Sequence, residues 1–286
     1  MLSLGIWFSL LAVIFYILRK AAIKDLAIFH LPKSLSNFYT RLLSLPFIAI
    51  IALVFGDNLL FTPTSTIFIS FIAAIVLHYI ASIISVIVYQ KYPFCQVASF
   101  SFIQMLFVSI AGIILFNEHI LLHHSIGIMI LSATFFILSR SYTKQKTPPK
   151  TIITLSLFYL LFASLSIINK IMVLQISPIQ FTFWITVWLT ILFALTFKLK
   201  HPDHSFALTK PQFKQLAIIG LLAAISFTSL NLAFEHAHIA IVSATMQLEI
   251  ILSLWFAKKK YNEQSLWTEY LAGASAIAGV ALVNLS

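Results

Sequence analysis

The chain has 286 residues, 60% hydrophobic and only 9% charged, against roughly 45–50% and 25% in an ordinary soluble domain. With 18 Lys and Arg and 8 Asp and Glu it has too little polar surface to cover a water-facing body of this size, which excludes a soluble globular fold. The net charge of +10 is spread over short segments between apolar runs, which excludes a nucleic-acid face, and the lone Cys95 offers neither an intramolecular disulfide nor a thiolate metal site.

Ten apolar runs follow in chain order, at residues 2–23, 35–55, 65–89, 95–116, 121–139, 152–174, 178–199, 213–234, 239–257 and 266–285. About 20 helical residues cross a hydrocarbon core, so each run reads as a membrane-spanning helix. Stretches such as Ile67–Leu77 do not alternate as a barrel strand must. The expected fold is therefore all-α and integral to the membrane. After the fifth run comes the most polar stretch, Arg140-Ser-Tyr-Thr-Lys-Gln-Lys-Thr-Pro-Pro-Lys150, whose paired prolines stop a helix. It divides the chain into a first five-helix unit at 1–139, a linker at 140–150 and a second five-helix unit at 151–286.

The two units repeat one another. Phe8-Ser-Leu-Leu and Ile17-Leu-Arg-Lys20 lie over Phe158-Tyr-Leu-Leu and Ile167-Ile-Asn-Lys170 at an offset of 150. At 145, Val97-Ala-Ser99 lies over Val242-Ser-Ala244 and Asn117-Glu118 over Asn262-Glu263; at 146, Gly127 and Ala133 lie over Gly273 and Gly279. An odd number of crossings per unit sends the second copy into the membrane from the opposite side, so the expected architecture is ten transmembrane helices in two inverted repeats.

These residues resemble a family. The late lysine in the first helix of each half, Arg41 opening the second helix, Asn-Glu after the fourth and ninth, and Gly-x5-small in the fifth and tenth are similar to the EamA branch of the drug/metabolite transporter superfamily. The resemblance covers the whole chain. It departs from the family at Asn117 and Asn262, where the family has glycine, and in lacking a proline inside the fourth and ninth helices. It implies a central cavity lined by helices one, three and four and six, eight and nine, with five and ten as braces. It also implies that Glu118 and Glu263 end helices four and nine.

Basic residues are unevenly distributed. Sixteen, Arg19 and Lys20 among them, fall on one set of loops, while the other face has only Lys170. The positive-inside rule then places both termini outside the cytoplasm of a bacterial inner membrane or cell membrane. Met1-Leu-Ser-Leu-Gly has no basic n-region and reads as neither a cleavable signal peptide nor an ordinary cytoplasmic start.

Glu249, mid-way along the ninth run, is the foremost candidate, since a charge at such depth costs about 2.5–3.5 kcal/mol. It would bind an amine or a coupling proton in a water-filled cavity, or pair with a basic residue of another helix. Gln104 lies over it in the first unit, of equal length and uncharged. Arg41 would clamp a carboxylate or snorkel to the headgroups. Lys20 and Lys170, near their helix ends, would snorkel, and Lys170, alone on its face and preceded by Asn169, is also a candidate for substrate binding or coupling. His78, Tyr79, Ser82 and Ser85 form a polar stripe on the third helix, and Thr228 and Asn231 a pair on the eighth; either serves a ligand or glues helices. Glu118, His119, His123 and His124 read as solvated loop residues rather than a metal site. Trp184 and Trp188 read as interface anchors, and Ala272, Ser275, Ala276 and Gly279 suit packing on helix five or a homodimer through helix ten.

The function expected is a secondary transporter of a small polar metabolite, an amino acid or related amine, working by alternating access with a proton or the substrate gradient as the driving force. Its partners would be that substrate and membrane lipid, with no cofactor, no metal and no nucleic acid. A lipid-acting membrane enzyme and a non-transporting scaffold are the alternatives.

Overall fold

The computed structural model describes residues 2–60, 65–119, 121–144, 148–203, 205–262 and 267–283, and these form helices and connections with no strand among them. In chain order the α-helices are α1 (Leu2–Asp25), α2 (Lys33–Phe55), α3 (Ser65–Lys91), α4 (Phe94–Ser99), α5 (Ser101–Phe116), α6 (Leu122–Lys144), α7 (Pro149–Val173), α8 (Pro178–Lys200), α9 (Lys210–His236), α10 (Ile239–Met246), α11 (Glu249–Tyr261) and α12 (Trp267–Val283). Eight spans are long and apolar enough to cross a membrane, with α4 and α5 together forming one and α10 and α11 another. The apolar part of α6 is the shorter stretch Leu122–Thr134, and α12 is 17 residues long.

The fourth and ninth apolar runs are therefore broken helices, although neither contains a proline or glycine at the break. Side-chain bonds to the backbone accompany both breaks. Ser99 Oγ donates to the carbonyl of Gln96, Thr245 Oγ1 to that of Ile241 and Gln247 Nε2 to that of Ser243, so side chains occupy carbonyls on the last helical turn before each break. The backbone tightens to i to i+3 bonds there, with Phe100 N on Val97 O and Gln247 N on Ala244 O. The two breaks touch: Ser101 Oγ donates to Gln247 Oε1 at 2.6 Å.

Packing exchanges partners between the halves: α1 lies along α9 and α3 along α7, α2 packs on α8, and α6 on α12. Large aliphatic side chains point outward, Leu53, Leu122 and Leu199 among the most exposed, while thirty-one polar or charged residues among those described are buried beside the apolar core. An outer surface this apolar fits a body solvated by lipid tails.

The α6–α12 brace depends on two glycines. A Cβ on Gly127 would lie 2.7 Å from the carbonyl oxygen of Gly279, and one on Gly279 would lie 2.6 Å from Leu131 Cγ. Gly279 is thus used inside the chain; the side chains of Ala272 and Ala276 lie outside the described residues, as does Glu263. Replacing either glycine by leucine should overpack this crossing by about 1–3 kcal/mol and lower the thermal midpoint in detergent. Met129→Ala, on the lipid-facing side of the same helix, should leave it unchanged.

Candidate functional site

A cavity lined by both polar and apolar groups lies at the centre of the bundle, with about 1000 Å³ of unfilled space including its mouth. It is lined from α1, α2, α3, α5, α7, α9, α10 and α11 and from the second break, while α6 and α12 take no part. Hydroxyls and amides of Asn37, Thr40, Ser85, Ser166 and Ser243 face the space beside the rings of Tyr16, Phe162 and Phe227.

Glu249 lines this cavity as the first residue of α11, so its carboxylate sits at the positive end of that helix's dipole, which favours an anion. It is not free for an amine. Lys20 Nζ from α1 donates to Glu249 Oε2 at 2.5 Å, and both side chains are almost wholly enclosed. The same ammonium lies 4.1 Å from the centre of the Tyr16 ring and 5.2 Å from that of Tyr89, so aromatic faces replace part of its hydration. Snorkelling is the wrong reading of Lys20, because α1 runs on to Asp25 and keeps the lysine below the helix end.

Arg41 is also buried rather than snorkelling. Its guanidinium donates to Ser82 Oγ at 2.9 Å and stands 4.8 Å from the centre of the Phe227 ring. Arg19, counted in the sequence among loop cations, lies on the cavity wall with its Cζ 4.3 Å from the same ring, and its buried Nε has no hydrogen-bond partner. Two signals could have found it. The apolar run continues through Ala21-Ala-Ile23 beyond the charge, and Tyr16, Arg19 and Ile23 share one helical face.

The stripe on α3 divides. His78 bonds Asn169 of α7 at 2.9 Å and lines the cavity with Ser82 and Ser85. Tyr79, one residue on, is rotated to α8, where its ring stacks on Phe193 and its hydroxyl meets Thr196 at 2.7 Å. Gln104 lines the cavity and donates to Ser166 Oγ at 3.1 Å. Asn231 faces α8 instead and donates to Thr182 Oγ1 at 2.8 Å, which is helix glue. Lys170, buried, holds the carbonyls of Phe234 and Ala237 at the C-terminal end of α9, where the helix dipole favours a cation, so it too does not snorkel. The cavity thus gathers Glu249, Gln104, Arg41 and His78 and leaves Tyr79, Asn231 and Lys170 outside its wall.

Glu118 reaches further than the end of its own helix. Asn117 terminates α5 in the left-handed region at φ 50°, and the Glu118 carboxylate accepts from Ile239 N at 2.7 Å and Ala240 N at 3.4 Å, capping α10 of the other half. Trp184 is no simple interface anchor, since its Nε1 donates to the Leu59 carbonyl at 2.8 Å, whereas Trp188 is exposed.

Residues 149–285 match the profile of the EamA-like transporter family. The chain carries an EamA-like module. That family is a branch of the drug/metabolite transporter superfamily, and the eight long apolar helices among the described residues make the protein a multi-pass integral membrane protein. A solved crystal structure of a protein shares the fold at a TM-score of 0.73, with 13% identity over 96% of this chain and 98% of that one. No curated protein sequence matches the chain.

The Lys20–Glu249 contact makes a prediction. Glu249→Gln strands a buried ammonium and Lys20→Met a buried carboxylate, and each should cost roughly 3–5 kcal/mol by the soluble-protein measure. Combining Lys20→Met with Glu249→Leu should restore most of the thermal midpoint in detergent. Full stability of Glu249→Gln alone would show that the pair has no structural role.

Proposed function

We propose that the protein is a secondary transporter that moves a small polar metabolite by alternating access. The observation that carries the reading is the cavity, which sets buried charged and amide side chains in an apolar-belted body and is lined by helices of both halves. The reciprocal packing of α1 on α9 and α3 on α7 supports two inverted repeats, 1–139 and 151–286 joined by the linker at 140–150, together giving ten spans. Broken helices at the site support it further, since both breaks reach the cavity through Ser101 and Gln247. Rocking one repeat against the other would slide these contacts past each other and expose the cavity to either side. Amino acids are the first substrates to try, with a proton gradient as the coupling force.

The helix-ten surface is left as a dimer face for this reading, and both termini as non-cytoplasmic. Buried Arg19 and Lys20 no longer count as loop charges, but fourteen basic residues still fall on one set of loops and, with Lys170 buried, none on the other.

Purified protein in liposomes should take up at least one member of a labelled amino-acid pool saturably, and a pH gradient should change the rate. Uptake equal to that of protein-free liposomes for every compound, with and without the gradient, would overturn the transport reading. For orientation, a C-terminal alkaline-phosphatase fusion should be active and a C-terminal green-fluorescent-protein fusion dark; the opposite pair of results reverses the topology.

A further inference from the structure

The charges around the cavity do not balance. Glu249 and Lys20 neutralise each other at 2.5 Å, while Arg19 and Arg41, both more than nine-tenths buried, have no carboxylate partner among the described residues. A guanidinium cannot relieve its burial by losing its proton, as a lysine or histidine can. The Phe227 ring lies against both groups, Ser82 accepts one bond from Arg41, and the buried Nε of Arg19 has no hydrogen-bond partner among the described residues. Both guanidinium groups lie within 5 Å of the same ring and both face the cavity.

We propose that Arg19 and Arg41, held around Phe227, form an anion-binding site, and that the transported molecule is recognised by a carboxylate or phosphate group. The inference rests on the transporter reading for the word transported and on the side-chain geometry alone for the anion. Forked guanidinium donors match the paired oxygens of such groups, and a site whose only carboxylate is already committed to Lys20 repels a substrate that is only an amine. An amino acid would therefore be held by its acid end. Thr40 and Asn37 line the same cavity, and the Phe162 ring offers an apolar wall for the remainder of the molecule.

The test measures binding and transport separately on the full-length protein. Binding is read in detergent by calorimetry and by the rise in thermal midpoint, with glutamate, glycerol 3-phosphate, putrescine, chloride and inorganic phosphate as probes. Glutamate or glycerol 3-phosphate should bind saturably and putrescine should not. Arg19→Gln and Arg41→Gln should each weaken that binding roughly tenfold or more, because a charge-assisted forked contact is lost. Lys214→Gln, at an exposed site on α9, should leave affinity unchanged. Both glutamine variants should fold, since neither strands a carboxylate; where one does not insert, Arg→Lys at that position keeps the charge, removes the fork and should bind weakly.

Binding of putrescine in preference to both acids, binding of chloride or inorganic phosphate alone, binding of none of the probes, or unchanged acid affinity in the arginine variants would each overturn the site. The same variants in liposomes separate the two readings. Arginine-dependent binding with no uptake leaves the anion site standing and ends the transporter. Normal uptake of any compound by Arg41→Gln and Arg19→Gln does the reverse.

Discussion

The contact between Lys20 and Glu249 is the constraint from which the rest of the interior follows. It joins α1 of the first half to α11 of the second, in a place where neither ion could remain alone. Its carboxylate begins a helix and its ammonium lies against two aromatic rings, so each ion has a second source of stabilisation besides its partner. Once those two charges cancel, the field inside the cavity is set by the arginines that remain. A reading of Glu249 by itself gives a cation site, whereas Glu249 with its neighbours gives a positive one.

Helix ends bring a second constraint. Each end leaves backbone groups without an intrahelical partner inside a body that offers no bulk water, and every such group needs one. The protein supplies those partners from across the molecule. Glu118 caps α10 from the opposite half, Lys170 holds the final carbonyls of α9, and Ser101 meets Gln247 where the two breaks face each other. Polar side chains that look isolated in sequence are thus the means by which one half is fastened to the other. A helix end satisfied from another half can be released only if both halves move, which makes these bonds part of any rocking motion.

Hydropathy made the helical class and the approximate limits of the spans legible, because apolar length is a property of a segment taken alone. The central cavity needed more. Arg19 and Lys20 look like the loop cations that orient a span, and nothing local distinguishes a charge at the membrane surface from one solvated by a cavity. His78 and Tyr79 are adjacent in sequence but about 100° apart around α3, so a polar stripe could not tell which of them faced inward. The breaks at Phe100 and Gln247-Leu248 carry no proline or glycine, so no residue at either place marks the interruption of an otherwise apolar run.

The correspondence between halves gives the uneven charge a sense. At an offset of 150, Arg19 and Lys20 lie over Asn169 and Lys170, and at 145 Gln104 lies over Glu249. Under the proposed repeat the first half therefore holds Lys20 and the two cavity arginines, and the second holds the carboxylate and the Phe227 ring on which both arginines rest. Neither half has a complete site. A bound anion would complete the donors of the first half while those donors remain stacked on a ring of the second, so binding draws on both. In a scaffold that works by moving one half against the other, a site divided in this way couples occupancy to their relative position without any contact outside the cavity.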